Sequence, residues 1–304
     1  MVVGVALAFG ANGRESPVVE AYPQVHVYQS GESGIFANAY LVETAHGVVA
    51  IDATLTRSDS KALRAQLDAL DKPLLAVLLT HGHPDHYNGI TNLIAGERVP
   101  VISTSGVAGV IRKYDAAKEA QWKPVFKDEW PDSRTFPNRT VADGKTLQFD
   151  GVAFTVHDLG PGESHADSIW MATSTDGKSR IKLAFIGDVV LQGVHAYMSD
   201  GHSEQWLRNI ERVRKIVAGA SRLYPGHGDS GDATLLDGQR DYLLAYRQNV
   251  AALAAGKPQL TEPQKEQLEA RMMAYRNTER LRFLIKLGAD PVAAELAHPA
   301  RGQQ

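Results

Sequence analysis

Residues 74–89 read LLAVLLTHGHPDHYNG, an unbroken apolar run followed by three histidines and an aspartate within six residues. The apolar run is typical of a strand that is largely buried. Side chains two apart on an extended segment point the same way, so His81 and His83 can bind one metal ion from one side of the chain. The proline after them stiffens the turn, and Asp85 and His86 can then reach a second position. The loop therefore predicts a site for two metal ions.

The rest of the chain alternates β-rich runs with helical periodicity. In the first half we predict strands at 24–28, 37–43, 48–51, 74–79 and 99–102, helices at 58–70 and 105–114, and an irregular stretch at 121–137. The second half repeats the pattern, with a helix from Ser203 and strands at 146–149, 153–157, 168–173, 181–186 and 222–224. Two β-rich halves, each closed by helices, predict two sheets packed face to face with helices outside. After Asp237 the pattern is helical, and we expect three or four helices there.

The composition limits the kinds of site and partner. The chain carries 32 Lys and Arg against 35 Asp and Glu, a formal net charge of −3. Proteins that neutralise many phosphates need a basic surplus, so we expect no nucleic-acid partner. The sequence contains no cysteine, which excludes thiolate nucleophiles and Cys-type zinc sites. Any metal must be bound by histidine and carboxylate.

The first residues suggest a processed leader. Residues 1–11 are apolar over only about half of the roughly 20 residues that span a bilayer, so no membrane segment is predicted. Ala6-Leu7-Ala8 is similar to the end of a signal peptide. We therefore expect 1–20 to be an N-terminal extension or leader remnant, and the protein to be periplasmic or secreted, with a cytoplasmic location as the alternative. The β-rich domain is expected at 21–236 and a helical region packed on it at 237–304.

Five ordered motifs resemble those of the metallo-β-lactamase superfamily, over about residues 24–230. The 80–89 loop is the most specific of them. It is followed by Gly-Glu-Ser-His165-Ala-Asp-Ser, by Phe-Ile-Gly-Asp188 at a strand end and by Tyr-Pro-Gly-His227-Gly, in the family's order. Upstream, Val-Ala-Ile-Asp52 is similar to the strand-end aspartate that supports the metal loop in that family.

This resemblance implies an α/β fold, the four-layer αββα sandwich, here with a C-terminal helical extension. The site would lie at one edge between the two sheets. It also implies a ligand set for two metals: His81, His83 and His165 for the first, Asp85, His86 and His227 for the second, and Asp188 bridging them. Asp52 would support this loop from behind; the alternative is that it caps the following helix.

Seven nitrogen and oxygen ligands suit two Zn²⁺, with Mn²⁺ or Fe²⁺ as alternatives. Two such ions can share a water and lower its pKa towards neutrality. We expect the resulting hydroxide to attack the carbonyl of a small-molecule lactone, carboxylic ester or thioester, with Asp85 carrying the proton. The resemblance also suggests Tyr197, near the mouth of the site, as a substrate-binding residue. The alternative for Tyr197 is a surface aromatic packed on the helix from Ser203.

Other functions use the same ligands. An aspartate at position 188 resembles the lactonase and glyoxalase II branches, whereas typical β-lactam-cleaving members have Cys or Ser there, which makes β-lactamase the alternative. The others are an iron-dependent persulfide or oxygen oxidoreductase, hydrolysis of a small phosphodiester, and a metal-binding module without catalysis. Leu281, Leu284 and Ile285 share a helical face that suits packing on the core or, in a homo-oligomer, on a second subunit.

Overall fold

The first sheet of the computed structural model, which describes residues 22–175, 177 and 181–298, has six strands in sequential order. They are β1 (Gln24–Gln29), β2 (Asn38–Glu43), β3 (Val48–Ile51), β4 (Leu74–Leu78), β5 (Val101–Thr104) and β6 (Arg139–Val141). The first three strands pair antiparallel, and β3 to β6 pair parallel. The predicted leader at 1–20 lies outside the described residues.

The second sheet has five strands, in the spatial order β11-β10-β9-β8-β7. They are β7 (Thr146–Phe149), β8 (Val152–Gly160), β9 (Asp167–Ser174), β10 (Lys182–Leu191) and β11 (Arg222–His227). Only β10 and β11 pair parallel, because the helix between them carries the chain back to the start of the sheet. The carboxyl ends of β4, β10 and β11 consequently reach the same edge of the molecule as the metal-binding loop.

The helices flank both sheets in the described part of the chain. They are α1 (Arg57–Asp68), α2 (Pro84–Tyr87), α3 (Ile90–Ile94), α4 (Ser105–Phe126), α5 (Ser203–Ile216), α6 (Thr234–Ala254), α7 (Glu262–Tyr275), α8 (Phe283–Leu287) and α9 (Ala289–Ala297). None of these helices combines the length and the apolar character that crossing a bilayer requires.

Three apolar cores fill the spaces between the layers. Between the sheets, side chains of the first sheet such as Tyr40 and Ile51 pack against Phe154, Trp170 and Phe185 of the second. A second core fills the space between the first sheet and α1, α3 and α4. The third joins the second sheet to α5 and to the C-terminal helices. The predicted αββα sandwich with a C-terminal helical extension is therefore confirmed.

One local prediction was wrong, and one short strand was not predicted. The helix predicted to end at Tyr114 runs on to Phe126 and contains Pro124 in its last turn, where we expected an irregular stretch. A proline removes only one helical hydrogen bond there, and the apolar side chains around it pack over the site. The short strand β6 was also missed, because three residues are too few to show a period.

Candidate metal centre

Three stretches that are far apart in the sequence meet at the edge of the sandwich. His81 and His83 follow β4, and Asp85 and His86 lie in the first turn of α2, which Pro84 starts from its first position. A proline suits this position because it needs no backbone N–H there. Asp188 lies on β10 and His227 ends β11. The fold brings the side chains of these six residues to one place.

One group of donors consists of Asp85, His86, Asp188 and His227, all buried. Asp85 Oδ2 lies 3.3 Å from both His86 Nε2 and His227 Nε2. Asp188 lies 3.4 Å from His86 Nε2 through Oδ1 and 3.3 Å from His227 Nε2 through Oδ2. Donors about 2.0–2.2 Å from a shared zinc ion lie about 3.3–3.6 Å apart in a tetrahedral arrangement. The group has the spacing that one cation needs.

The second group consists of His81, His83 and Glu163. Glu163 Oε2 lies 3.0 Å from His83 Nδ1 and 3.7 Å from His81 Nε2. Asp188 Oδ2 lies 3.9 Å from His81 Nε2, so this carboxylate faces both groups. The position of Asp188 therefore fits the bridging role that the resemblance implies.

Donor atoms in both groups have no hydrogen-bond partner among the described residues. This holds for His81 Nε2, for His86 Nε2, for Asp188 Oδ1 and for both carboxylate oxygens of Glu163. Buried polar atoms in native proteins are almost always paired, and an unpaired cluster needs an explanation such as an ion. Imidazole and carboxylate are also the ligands that zinc prefers where sulfur is absent. The residues present therefore fit two divalent cations.

His165 does not join either group, although the resemblance implies it as a ligand of the first metal. Its Nδ1 lies 2.8 Å from His202 Nε2, and its ring stacks on Tyr114 with the centroids 4.7 Å apart. Its Nε2 lies 3.7 Å from Asp200 Oδ2, on the far side of His83 from Glu163. The physical reason is that the loop from Gly160 to Asp167 turns Glu163 inward, so the residue two positions later points to a separate, partly exposed cavity.

Asp52 supports the metal-binding loop, as the resemblance implies. Its carboxylate accepts hydrogen bonds from the backbone N–H and hydroxyl of Thr80, at 2.9 and 2.7 Å, and lies 2.9 Å from His86 Nδ1. The alternative, a helix cap, is wrong, because Thr56 caps α1 by accepting from Asp59 N. A carboxylate behind a ligating imidazole fixes the ring so that its other nitrogen points at the metal.

The carboxylates and imidazoles shift each other's pKa. Burial opposes the protonation of His83, but Glu163 and Asp200 outweigh it and raise the pKa of His83 to about 10. Burial raises the pKa of Glu163 to about 8 against the opposing attraction of His83. Burial also disfavours ionised Asp188, yet His227 and His86 hold its pKa well below the ordinary value. Protons on His83 and Glu163 compete with a cation for the lone pairs of these side chains, so metal affinity should fall at low pH.

The close approach of the segments depends on glycine. A Cβ built on Gly226 would lie 1.7 Å from Asp188 Oδ1, which no real contact permits. Gly187 has a positive φ of 48° and would place its Cβ 2.7 Å from the Thr80 hydroxyl. The two Gly residues in the Phe-Ile-Gly-Asp and Tyr-Pro-Gly-His motifs therefore let β10 and β11 bring their donors beside the loop.

A cavity of about 530 Å³ opens onto both donor groups. Its floor includes His83, Asp85, Glu163, Asp188 and His227. Its walls are mainly apolar and come from the turn after β1, the segment before α1, the second half of α4 and the residues just after it, and the segment around α8. They are Ile35, Phe36, Leu55, Trp122, Val125, Phe126, Trp130, Leu281, Phe283 and Leu284. The cavity can hold a small molecule with an apolar body.

Tyr197 is partly buried, lines this cavity and also packs against the apolar core that contains residues of α5. Its hydroxyl accepts from Lys118 Nζ at 3.1 Å and donates to Asp200 at 3.2 Å. Its ring lies edge-on to His83, with the centroids 4.9 Å apart. Burial and the neighbouring carboxylates raise its pKa far above the ordinary value, so the hydroxyl stays protonated.

Sequence reasoning missed two residues of the site. Glu163 stands two positions before His165 inside a motif already quoted, and no pattern in the sequence says which of the two turns inward. Asp200 lies 3.3 Å from His83 Nε2 and orients that ring from behind. The only signal for Asp200 was its closeness in sequence to Tyr197.

Comparisons with known proteins agree with this geometry. The family model for the metallo-beta-lactamase superfamily matches residues 33–227. The chain is 24% identical over 217 residues to metallo-beta-lactamase IND-1 of Chryseobacterium indologenes, covering 67% of this chain and 79% of that protein. It is 25% identical over 215 residues to a hydroxyacylglutathione hydrolase of Idiomarina loihiensis, covering 69% and 71%. The fold is similar to that of a metallo-beta-lactamase from Pontibacter korlensis, with a TM-score of 0.56, 22% identity and coverage of 74% and 96%.

Proposed function

Because this chain belongs to the metallo-beta-lactamase superfamily, we propose that it is a metal-dependent hydrolase acting on the carbonyl group of a lactone, carboxylic ester or thioester. One observation carries the proposal. Two groups of buried donor residues, several of whose donor atoms have no hydrogen-bond partner among the described residues, lie at an apolar-walled cavity large enough for a small molecule. Ligands that only stabilised the fold would be closed off from such a cavity.

We assign two Zn²⁺ to these donors, with Mn²⁺ or Fe²⁺ as alternatives. His81 and His83 would bind the first cation, Asp85, His86 and His227 the second, and Asp188 would contact both. When bound, such cations lower the pKa of water towards neutrality and polarise a carbonyl oxygen. Asp52 and Asp200 keep His86 and His83 in the orientation that this requires.

The remaining chemistry belongs to side chains on the cavity floor. Asp85 lines the cavity, and we propose that its carboxylate carries a proton from water to the leaving atom. Tyr197 keeps its proton, and the Lys118 ammonium lies within hydrogen-bond distance of its hydroxyl. The Lys118 ammonium, which Tyr197 holds in position, has further N–H groups with which to donate to an oxygen of the substrate beside His83.

The walls of the cavity support a substrate with a sizeable apolar group. Trp122 and Phe126 on α4 and Phe283 on α8 face the same space as the ligands. Burying an apolar group here would contribute binding energy that a short acetyl ester cannot use. Hydrolysis of a β-lactam is the second candidate, because the curated relatives include metallo-beta-lactamases.

A substrate panel with metal analysis tests the proposal. The purified, zinc-loaded protein is assayed against lactones, thioesters, aryl esters and β-lactams, before and after treatment with a chelator. We expect chelator-sensitive hydrolysis of one carbonyl class, lost in His83→Ala and in Asp188→Ala. His46→Ala is the matched control, because the His46 side chain is 85% exposed and contacts Asp150 far from the site.

Two outcomes would contradict the proposal. Full activity in either His83→Ala or Asp188→Ala would show that hydrolysis takes place elsewhere. Iron-dependent oxygen consumption without hydrolysis of any substrate would favour the oxidoreductase that shares this type of ligand set.

A further inference from the structure

We propose that Glu163, not His165, is the third protein ligand of the first cation, which is therefore bound by two imidazoles and a carboxylate. This inference rests on the proposed function only in requiring that the chain binds divalent cations. It concerns a donor that sequence reasoning did not select, and it changes the charge of the site.

The position of Glu163 suits a metal ligand. Its side chain is fully buried, and its Oε2 lies 3.0 Å from His83 Nδ1 and 3.7 Å from His81 Nε2. Neither of its carboxylate oxygens has a hydrogen-bond partner among the described residues. Apart from the two imidazoles nothing compensates this buried carboxylate, whereas a carboxylate on a divalent cation is compensated. Glu163 also lines the main cavity beside Asp188.

The loop that carries Glu163 is fixed by other groups. The backbone N–H groups of Glu163 and Ser164 donate to the buried carboxylate of Asp167, at 2.7 and 3.1 Å. The side chain of Asn209 donates to Pro161 O at 2.8 Å. The loop thus holds the Glu163 backbone in place and leaves its carboxylate free to bind a metal ion.

His165 is occupied on the opposite side of His83. The two ring nitrogens of His83 define these sides, because Nδ1 faces Glu163 and Nε2 faces Asp200. His165 lies on the Asp200 side, where it contacts His202 and stacks on Tyr114. Binding of the first cation by His165 would break these contacts and would leave the buried Glu163 carboxylate without a hydrogen bond or a cation.

A carboxylate in place of an imidazole makes the charge of the site more negative and gives the first cation a hard oxygen ligand. With Glu163 as ligand, the two cations face three carboxylates, Asp85, Asp188 and Glu163, so the site with its ligands has a formal charge of +1 rather than +2. Carboxylate ligands suit manganese, whereas imidazole suits zinc. We therefore expect a weaker preference for zinc over manganese than a site with three histidines would show.

Metal content measured on the full chain tests this assignment without reference to activity. Wild type, Glu163→Gln, Glu163→His and His165→Ala are equilibrated with zinc in a competing chelator, and bound zinc is measured by mass spectrometry. We expect wild type and His165→Ala to bind two ions with similar affinities. Glu163→Gln should lower the affinity for one of the two ions by at least about 100-fold. Glu163→His should keep both ions and bind zinc more selectively over manganese.

The other results overturn the assignment. They are loss of an ion in folded His165→Ala, retention of both ions at unchanged affinity in Glu163→Gln, or fewer than two ions in wild type. Circular dichroism verifies that each variant is folded; if Glu163→Gln is not, His165→Ala and Glu163→His decide the question. Two ions per chain without hydrolysis would refute the proposed function while leaving the ligand assignment intact.

Discussion

Asp52 shows how a single side chain outside the cavity controls the site. Its carboxylate accepts from Thr80 twice and contacts His86 Nδ1, all within the buried core. Asp52→Asn keeps the shape but replaces one acceptor oxygen by a donor. We expect the affinity of the second cation to fall about 10- to 100-fold, as for other carboxylates behind ligating histidines. Titration of zinc against a fluorescent chelator measures this loss.

The control for Asp52→Asn is Asp68→Asn, since the Asp68 side chain is 57% exposed and binds Arg64 on the surface. We expect Asp68→Asn to bind both ions like wild type. An equal loss in both variants would mean that Asp52 acts through general stability, and unchanged affinity in Asp52→Asn would refute its supporting role.

At the residue scale, the sequence predicted ligands well where backbone geometry alone decides direction. His81 and His83 are two apart on an extended segment, so their common direction follows from the chain itself. Glu163 and His165 are also two apart, but they lie on a turning loop held by Asp167. Which of them faces the metal depends on these tertiary hydrogen bonds, and local periodicity does not contain that information.

Helix α4 is the element that shapes the substrate cavity. Trp122 on α4 packs near Phe283 on α8, with the ring centroids 6.5 Å apart, and both line the cavity. We expect Trp122→Ala to raise KM about 10-fold or more for esters with long acyl or aryl groups, because about 1.5–3 kcal/mol of apolar burial is lost. KM for acetyl esters should change little. Steady-state kinetics on an ester series of increasing chain length makes the measurement.

Leu244→Ala on α6 is the control for this prediction, because that side chain is 49% exposed and does not line the cavity. If Trp122→Ala affected acetyl and long-chain esters equally, α4 would position the catalytic groups and would not bind the substrate's apolar part.

The same helix is tied to residues 130–137 by an ion-pair cluster with a pH dependence. Arg134 donates to Glu119 and to Asp115, and its hydrogen bond with Glu119 is the main reason why the pKa of Glu119 is lowered from 4.5 to about 2. A lowered carboxylate pKa stabilises the fold above the unfolded value of about 4.5, and the stabilisation is lost as pH falls towards 2. Glu119 is 31% exposed on its side chain, so we expect about 1 kcal/mol or less.

Urea unfolding of wild type and Glu119→Gln at several pH values tests this. The difference in the free energy of unfolding should be constant between pH 6 and 8 and should shrink below about pH 4.5. Glu262→Gln, whose side chain is 78% exposed, is the control. A difference that grew on acidification would contradict the sign.

At the element scale, strands and helices could be predicted from the periodicity of their apolar residues. The prediction failed where an element is too short to show a period or where its apolar residues do not face the core. The strand β4 and the amphipathic α5 were both predicted. The far half of α4 was not, since its apolar residues face a cavity and Pro124 suggested a break. The C-terminal helices were predicted from their pattern, but the sequence left open whether they pack on the core or on a second subunit. In the structure Ile285 is buried in the core that includes the second sheet.

On the scale of the whole molecule, the two sheets are joined at the edge where the donors meet. The indole N–H of Trp170 donates to Leu79 O at 3.0 Å, and the backbone N–H of Ser168 donates to Thr80 O at 2.8 Å. Asn38 donates to Pro225 O at 3.0 Å beside His227. These hydrogen bonds place donors from both halves of the chain within reach of the same ions, so a cation here would crosslink the two sheets.

Metal removal should therefore destabilise the entire fold, and not only abolish activity. Without cations, the buried carboxylates of Asp85 and Asp188 and the donor atoms around them lose their compensation. An ion present at about 100 times its Kd contributes about 2.7 kcal/mol, so we expect the chelated protein to melt on the order of 5 °C lower. Calorimetry before and after chelation, and again after zinc is restored, measures the shift. The doubly substituted His83→Ala, Asp188→Ala protein should show a much smaller response to chelator. An unchanged melting temperature in wild-type protein that has demonstrably lost its metal would mean that the sheets are held together without the ions.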